Sequence, residues 1–185
     1  MIFDLIEKRR AVFPAQYNDR PIADEDIQKL LEAANWAPTH KRTEPWRFKV
    51  VKEKAKTRLS EFLVEAYIKH TPEPKQLKAK KIKEKVHQSA AIIAICMQRD
   101  PQERLPEWEE IAATAMAVQN MWLVCTQLSI GCYWSSPSLI KYMDDFFNFK
   151  KGERCLGFFY MGYFDAPVDD GHRGPYSDKV TWLID

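Results

Sequence analysis

The chain has 185 residues, of which 45% are hydrophobic and 29% are charged, and its 28 basic and 26 acidic side chains leave a formal net charge of +2. Intrinsic disorder is excluded, because aromatic residues make up 12% of the chain and supply more apolar surface than disordered sequences contain. A nucleic-acid partner is disfavoured, because phosphate backbones are normally bound by a strongly basic domain or stripe.

Apolar side chains at helical spacing predict three helices in the N-terminal part of the chain. They are expected at Ile2–Arg10, Asp24–Trp36 and Ala55–His70. Asp24 is expected to cap the second helix, because its carboxylate can accept hydrogen bonds from the free amides of the first turn. The alternating segment Trp46–Val51 predicts a strand between the second and third helices.

Six lysines fall within Lys75–His87, a segment that we name the lysine helix. It could bind nucleic acid, or it could be the solvated face of a helix whose other side carries Leu77, Ile82 and Val86. We favour the solvated face, because the run lacks the aromatic side chains on which bases stack. The next segment, Ser89–Met97, has no polar alternation and predicts a strand that is buried on both faces in the middle of a sheet.

The longest helical pattern extends from Trp108 to about Ile130 and is apolar on nearly all sides between Ala112 and Val124. A helix of this kind must be buried all round, which a small domain achieves most easily at a subunit interface. The pattern therefore predicts a homodimer. Gly131, the first glycine of the chain, is expected to end this helix.

The C-terminal part of the chain predicts a short strand at Cys132–Ser135, a helix at Ser138–Phe147 and a second central strand at Leu156–Phe164. The apolar end, Val180–Ile184, is expected to pack against another surface, such as a partner subunit. No repeat, linker or low-complexity block is visible. We therefore expect residues 1–185 to form one α+β domain.

Glycine, cysteine and histidine patterns exclude several kinds of site. The chain has six glycines and none before Gly131, so a dinucleotide-binding Gly-x-Gly-x-x-Gly motif or a Walker A loop cannot occur before that position. The histidines are too scattered for a metal motif, and no metal is expected. The cysteines lie in apolar segments without a Cys-x-x-Cys spacing, which predicts buried thiols of a reducing compartment.

No targeting or membrane segment is expected. Charged residues interrupt the first ten positions, and no apolar run reaches 18 residues. These observations predict a cytoplasmic protein without a membrane partner.

No catalytic constellation that works without a cofactor is visible. The chain has no Gly-x-Ser-x-Gly motif and no cysteine that is paired with a histidine in a recognisable catalytic motif. It also has no pair of carboxylates at a spacing that indicates acid–base catalysis. An enzyme with this sequence would therefore need a cofactor to carry its reaction. A phosphorylated cofactor would have to be held by side chains rather than by a glycine-rich loop.

Three polar clusters are candidates for holding such a cofactor. The arginine cluster, Lys8–Arg10, could clamp a phosphate or could simply complement the dipole of the first helix. The histidine loop, Ala37–Trp46, carries three potential cations that could bind a ligand or form a solvated turn. The serine loop, Tyr133–Pro137, could line a ligand site or provide a packed tryptophan and a helix cap.

Together these clusters resemble the FMN-dependent nitroreductase family, in its short single-domain branch. The matching elements are Arg9-Arg10, the run Ala-Pro-Thr-His-Lys-x-x-x-Pro-Trp-x-Phe at Ala37–Phe48, Leu-Pro-Glu-Trp-Glu from Leu105, Gly-Cys-Tyr-Trp-Ser-Ser from Gly131, and the strand from Leu156. The resemblance extends from Phe3 to about Gly162. Its most specific element is the histidine loop.

The resemblance implies a three-layer α/β/α sandwich, in which a central, mostly antiparallel sheet is flanked by helices and a long helix forms a subunit interface. It implies a homodimer with FMN in two clefts at that interface. It also implies an oxidoreductase with a ping-pong reaction: NAD(P)H transfers a hydride to FMN, the nicotinamide leaves, and a nitroaromatic or quinone acceptor takes its place.

The resemblance also assigns flavin contacts to residues of this chain. They are Arg9, Arg10 and the Ala11 backbone for the phosphate, Thr39, His40 and Lys41 for the isoalloxazine edge, and Trp134, Ser135 and Ser136 of the other subunit for the opposite side. A cation near the pyrimidine end would stabilise the anionic reduced flavin, and Lys41 or Arg42 is the candidate. The family often has Arg-Arg-Ser followed by another arginine, whereas this chain has Arg-Arg-Ala-Val-Phe. The phosphate site is therefore expected to recruit a tail residue such as Arg173.

Other functions stay open at this point. Another flavin enzyme of the same fold, such as a reductive dehalogenase or a flavin-fragmenting enzyme, would keep the FMN site and use different substrate loops. The protein could also bind flavin without physiological turnover. A non-enzymatic binding module would instead use the lysine helix, bind nucleic acid in a salt-sensitive manner and be colourless.

Overall fold

The computed structural model describes residues 1–184, in which the predicted strands recur and the predicted helices recur except the one at Ser138–Phe147. The helices are α1 Ile2–Lys8, α2 Asp24–Asn35, α3 Glu53–His70, α4 Gln76–Gln88, α5 Glu107–Gln127 and α6 Asp144–Phe147. The strands are β1 Trp46–Val51, β2 Ala91–Gln98, β3 Ile130–Ser135 and β4 Glu153–Tyr163. The bounds of β1 are those predicted from its alternating sequence.

The four strands form one sheet in the order β1-β2-β4-β3, and all neighbouring strands are antiparallel. β2 and β4 are therefore the central strands, which confirms the prediction made from their continuous apolar runs. Ile93 of β2 lies opposite Phe159 of β4, and both side chains are fully buried. β1 and β3 are the edge strands.

Helices cover both faces of this sheet. Ile93 and Phe159 point to the face on which α2 and α5 pack, whereas Ile92 and Phe158 point to the face covered by α3 and α4. Successive residues of a strand point to opposite faces, so a strand between two helical layers must be apolar at every position. The three-layer α/β/α arrangement implied by the resemblance is confirmed.

Three predicted helix ends are wrong. α1 ends at Lys8, so Arg9 and Arg10 follow the helix rather than belonging to it. α5 ends at Gln127, and the turn into β3 is made by Ser129, whose φ is 56°. Gly131 instead lies within β3, where a Cβ would approach the Phe164 side chain to 2.8 Å. At α2 the N-cap is Ala23, and Asp24 is the first helical residue, where its charge complements the helix dipole without a capping bond.

The segment after β3 also differs from the prediction, and the end of the chain is exposed. Ser138–Phe147 is not one helix, because a 3₁₀ turn at Ser138–Tyr142 precedes the short α6. In the single chain, Val180 is 45% exposed and Trp182 is 75% exposed. The expected packing of this end against a partner subunit stays a prediction.

Two further expectations concern burial and membranes. All four cysteines are buried as free thiols, as their apolar surroundings predicted. Within residues 1–184, no helix combines the length and apolarity that crossing a bilayer requires.

The packing of α2 on the sheet gives a stability prediction. Leu30 of α2 is fully buried, and replacing it with alanine should lower the free energy of unfolding by about 2–5 kcal/mol, because the transfer energy is lost and a cavity remains. Leu77→Ala is the matched control, since Leu77 is 65% exposed. Denaturant titrations of both variants check this; equal losses in the two would contradict the burial of α2.

Candidate functional site

Backbone contacts hold the arginine cluster at the end of α1 against β3 and α5. The Val12 amide donates to the Cys132 carbonyl at 3.1 Å, so the chain after α1 runs along the edge strand. The Trp122 indole of α5 donates to the Arg10 carbonyl at 2.9 Å. The two arginines therefore project from a fixed backbone.

The arginine side chains line a cavity of about 670 Å³, which we name the arginine cavity, and the tail brings Arg173 to the same cavity. The Arg9 guanidinium lies 4.8 Å from the centre of the Trp122 ring. Arg10 donates to the Asp169 carbonyl at 3.1 Å, and this contact ties the tail to the cluster. The structure thus places the predicted tail arginine beside Arg9 and Arg10.

The charge balance of the arginine cavity favours an anion. Burial lowers the pKa of Arg9, and the nearby positive charges of Arg173 and Arg10 lower it further. Glu7 and Asp170 also border the cavity, but no ion pair joins either of them to these arginines within residues 1–184. An anion between the three guanidinium groups would relieve their repulsion and could accept bidentate hydrogen bonds.

The histidine loop contacts the start of α5 and the segment before it. His40 Nδ1 lies 2.7 Å from Glu109 Oε2, and Lys41 Nζ donates to the Arg104 carbonyl at 3.2 Å. Within the loop, the Thr39 hydroxyl accepts from a backbone amide at 3.2 Å. These contacts fix the loop on the N-terminal end of α5.

Lys41 donates to the chain between β2 and α5, and the buried carboxylate of Glu110 holds that segment in place. Glu110 accepts from the Asp100 amide at 2.9 Å and from the Arg99 guanidinium. The Arg104 guanidinium lies 2.7 Å from Asp100 and holds the pKa of that carboxyl below its usual value. The chain between β2 and α5 is therefore a rigid support for the histidine loop.

The histidine loop borders an exposed apolar face of α5. Pro38, Thr39 and His40 line a cavity of about 320 Å³ together with Trp108 and Met116. Trp108 is 67% exposed and Met116 is 41% exposed. One face of α5 is thus uncovered in the single chain, although the sequence predicts burial all round.

A β-bulge in the central strand positions the serine loop. The register of β2 and β4 shifts between Ile95 and Cys96, so that Leu156 has no partner in the ladder. Its carbonyl accepts from the Trp134 indole at 3.3 Å. At Gly157, where φ is 154°, a Cβ would lie 2.1 Å from Trp134 Nε1, so only glycine fits beneath this tryptophan.

Lys85 is a residue of the site that the sequence analysis missed. Its Nζ donates to the Ser135 hydroxyl at 3.3 Å and lies 5.2 Å from the ring centres of both Tyr133 and Tyr160. The interpretation of the lysines as one solvated helix face is therefore wrong for Lys85, which is partly buried. Lys85 shares a helix face with Ile82 and Val86, and that spacing was the available signal.

The structure brings together two of the three clusters. The Phe13 ring, next to the arginine cluster, packs at 4.9 Å on the Tyr133 ring of the serine loop, so both clusters lie on the β3 edge of the sheet. The histidine loop is separate: its side-chain hydrogen bonds to other segments, within residues 1–184, go to Glu109, Arg104 and Asn35. Within residues 1–184, the Arg42 side chain makes no hydrogen bond. Within the single chain, the loop's side-chain hydrogen bonds do not join it to the other two clusters.

The fit between Gly157 and Trp134 gives a second prediction. Gly157→Ala should lower the free energy of unfolding by about 1–3 kcal/mol and alter the near-ultraviolet circular dichroism, because the added methyl group overpacks the indole. Gly174→Ala is the control, since the nearest atom to its Cβ would be Lys179 Nζ at 3.7 Å. An unchanged melting temperature and spectrum for Gly157→Ala would show that the bulge does not position Trp134.

The chain was compared with known proteins and solved structures. The model of the "Nitroreductase family" matches residues 6–163. The protein named "Putative NAD(P)H nitroreductase YfhC" from Bacillus subtilis (strain 168) is 28% identical over 181 residues, which cover 96% of this chain and 92% of that protein.

Solved structures agree with this match. A nitroreductase-like family protein from Bacillus cereus superposes with a TM-score of 0.87 at 27% identity, covering 99% of this chain and 96% of the other. Iodotyrosine deiodinase, solved with FMN and 3-iodo-L-tyrosine, shares the fold at 19% identity and a TM-score of 0.72, with coverages of 95% and 96%. The chain belongs to the nitroreductase family.

Proposed function

We propose that this protein is an FMN-dependent oxidoreductase that uses NAD(P)H to reduce nitroaromatic or quinone-type acceptors. The observation that carries the proposal is the arrangement of three arginines around one cavity, on the same sheet edge as the serine loop. Family membership and the NAD(P)H nitroreductase name of the Bacillus subtilis relative support it. The FMN in the solved structure of iodotyrosine deiodinase supports the choice of cofactor.

The residues of the arginine cavity fit the phosphate of FMN. Arg9, Arg10 and Arg173 supply planar donors for a doubly charged phosphate, and the Ala11 amide lies beside them on the backbone fixed by Trp122. Arg173 compensates for the serine and the further arginine that this chain lacks after Arg10. The phosphate would thus bind through side chains, as the scarcity of glycine requires.

The serine loop is suited to one side of the isoalloxazine. Trp134 is held by the Leu156 carbonyl, and the Ser135 and Ser136 hydroxyls lie where the edge strand ends. Lys85 is the cation in contact with this loop, so we assign to it the stabilisation of negative charge on the reduced flavin. In the same chain, Lys41 is bound to the Arg104 carbonyl instead.

When bound, FMN would supply the two-electron hydride chemistry that links NAD(P)H to the acceptor in a ping-pong reaction. The chain's own task is to hold the cofactor, orient its edge and exclude water from one side. No separate dinucleotide-binding fold is required, because the nicotinamide need only reach the exposed flavin face.

A homodimer would complete the site. The uncovered face of α5 carries Trp108 and Met116 beside the histidine loop, and such an apolar face is typical of a subunit interface. Thr39, His40 and Lys41 would then approach the flavin bound to the other subunit's serine loop. The separation of the histidine loop from the other clusters within one chain supports this arrangement.

The cofactor is tested by absorption spectroscopy of the purified protein with added FMN, followed by NAD(P)H without oxygen. Flavin bands that bleach with NAD(P)H are expected. Arg173→Ala should weaken FMN binding at least about tenfold, because one charged phosphate contact contributes about 1.5–3 kcal/mol.

Arg58→Ala is the matched control for this experiment, since Arg58 is an exposed arginine of α3 outside the arginine cavity. A protein that binds no FMN would overturn the proposal. An Arg173→Ala variant with unchanged FMN affinity would remove this arginine from the phosphate site and leave the flavin assignment standing.

The dimer is tested at Met116 on the uncovered face of α5. Met116→Glu should give a monomer with weakened FMN binding, because the change buries a charge in an apolar interface. Light scattering coupled to size exclusion measures the mass, and Ile68→Glu on α3 is the control, since Ile68 is 51% exposed outside that face. A Met116→Glu variant that stays dimeric would place the interface elsewhere.

A further inference from the structure

Two cysteines face each other across the central strands, and we name them the thiol pair. Cys96 of β2 lies directly opposite Cys155 of β4, and both side chains point to the face of the sheet that α3 and α4 cover. Residues opposite each other in an antiparallel pair have Cα atoms about 4.5–5.5 Å apart. A disulfide needs a Cα separation of about 4.4–6.8 Å, so the existing register allows a bond between these two sulfur atoms.

The other two cysteines are not strand partners. Cys132 of β3 lies opposite Met161, and Cys125 belongs to α5. Burial and a hydrogen bond with Cys125 raise the pKa of Cys132. Cys132 is therefore held as the protonated thiol, which is a poor nucleophile.

Charged groups lie beside the thiol pair. Lys49 Nζ of β1 lies 2.6 Å from Glu153 Oε1, and the Glu153 side chain is only 4% exposed. The rings of Phe147 and Phe149 lie 6.0 and 5.4 Å from the same ammonium group and cover it. Charges in such a partly buried setting act on their neighbours more strongly than they would in water.

The two thiols of the pair differ in acidity. The hydrogen bond with Cys96 lowers the pKa of Cys155, and the charge of Lys49 lowers it as well, against the opposing effect of burial. The same hydrogen bond and burial raise the pKa of Cys96, and the charge of Glu153 raises it further. Cys155 is therefore the thiol that ionises first, and a second thiol lies within reach of it.

Access to the thiol pair is limited to small molecules. Cys96 is fully buried, whereas Cys155 is 6% exposed. Hydrogen peroxide is uncharged and has only two heavy atoms, so it can reach a sulfur atom that bulky reagents cannot. Neither thiol lines the arginine cavity or the cavity beside the histidine loop, so the pair is not part of those sites.

We propose that Cys96 and Cys155 are a peroxide-sensitive thiol pair, which hydrogen peroxide oxidises to a reversible disulfide between the central strands. The Cys155 thiolate attacks one peroxide oxygen: an S–O bond forms, the O–O bond breaks, and the leaving hydroxide takes up a proton to become water. The Cys96 sulfur then attacks the Cys155 sulfur: an S–S bond forms, the S–O bond breaks, and the hydroxyl leaves with the Cys96 proton as a second water. The two sulfur atoms lose two electrons in total, and these reduce one peroxide molecule.

The disulfide would form next to the anchor of the serine loop. Cys155 directly precedes Leu156, whose carbonyl accepts from the Trp134 indole. The oxidised chain would therefore hold β4 to β2 by a covalent bond beside the bulge. The oxidation itself does not depend on a bound flavin.

The test is thiol mapping of the purified full chain after treatment with hydrogen peroxide. The peroxide is removed with catalase, free thiols are blocked in denaturant, and tryptic peptides are analysed by mass spectrometry. We expect a disulfide between the peptides 86–99 and 155–173, which carry Cys96 and Cys155, and we expect dithiothreitol to restore all four thiols. Four free thiols after peroxide treatment, or oxidation that ends at a sulfinic acid, would overturn the proposal.

The other two cysteines provide an internal control in the same experiment. Cys125 and Cys132 lie together in the tryptic peptide 105–141, so a bond between them gives a different product. They should stay reduced while the thiol pair is oxidised. A disulfide within 105–141 that forms before the link between 86–99 and 155–173 would contradict the selectivity that the proposal requires.

Two variants assign the roles of the thiols. In Cys96→Ser the serine hydroxyl keeps a hydrogen-bond donor beside Cys155 but cannot form a disulfide, so peroxide should produce a sulfenic acid on Cys155 that dimedone traps. Cys125→Ser is the matched control, since Cys125 is also fully buried, and it should form the disulfide at the rate of the unaltered chain. A folded Cys96→Ser variant without a dimedone adduct on Cys155 would remove Cys155 as the thiol that peroxide attacks. Mapping of the unaltered chain still decides the proposal where a variant does not fold.

Discussion

Burial of both faces of the central strand pair determines where this molecule can carry chemistry. β2 is buried from Ala91 to Met97, with α2 and α5 on one side and α3 and α4 on the other. Polar groups placed on these faces would lose water without gaining partners. Functional side chains are therefore excluded from the two faces of β2 and are left to strand ends, sheet edges and the covering helices. The arginine cluster and the serine loop both lie at the edge formed by β3. The bulge of β4 at Gly157 contributes to this edge because it positions Trp134.

The sequence was sufficient for elements whose periodicity is strong. The continuous apolar runs identified β2 and β4 as central strands, and the alternation at Trp46–Val51 gave β1 with its correct bounds. The same rules failed at the end of α5. A glycine normally closes a helix, yet here Ser129 adopts the left-handed conformation and Gly131 is used for close packing in β3. Local preference was overridden by the need to fit Phe164.

Prediction of the site was limited by contacts between distant segments. The sequence shows Arg9, Arg10 and the serine loop as polar clusters next to a predicted helix or strand. Arg173 was proposed only because the arginine cluster lacks a cation that the family often has. Lys85 was counted as solvated with the rest of the basic run, although its spacing from Ile82 and Val86 places it on the same helix face as these apolar residues. Its role is set by Tyr133, Ser135 and Tyr160, which belong to β3 and β4. Only the tertiary structure brings these residues to α4.

The four cysteines have a consequence for experiments on this protein. Each thiol is buried; burial raises the pKa of Cys132, a hydrogen bond with Cys155 and burial raise that of Cys96, and the hydrogen bond with Cys96 lowers that of Cys155. Thiol reagents must reach the sulfur atom, so burial should protect all four native thiols of the folded chain from a maleimide. A single cysteine introduced at a surface position could therefore carry a fluorophore or spin label selectively. Distances could then be measured in solution without removing the natural cysteines.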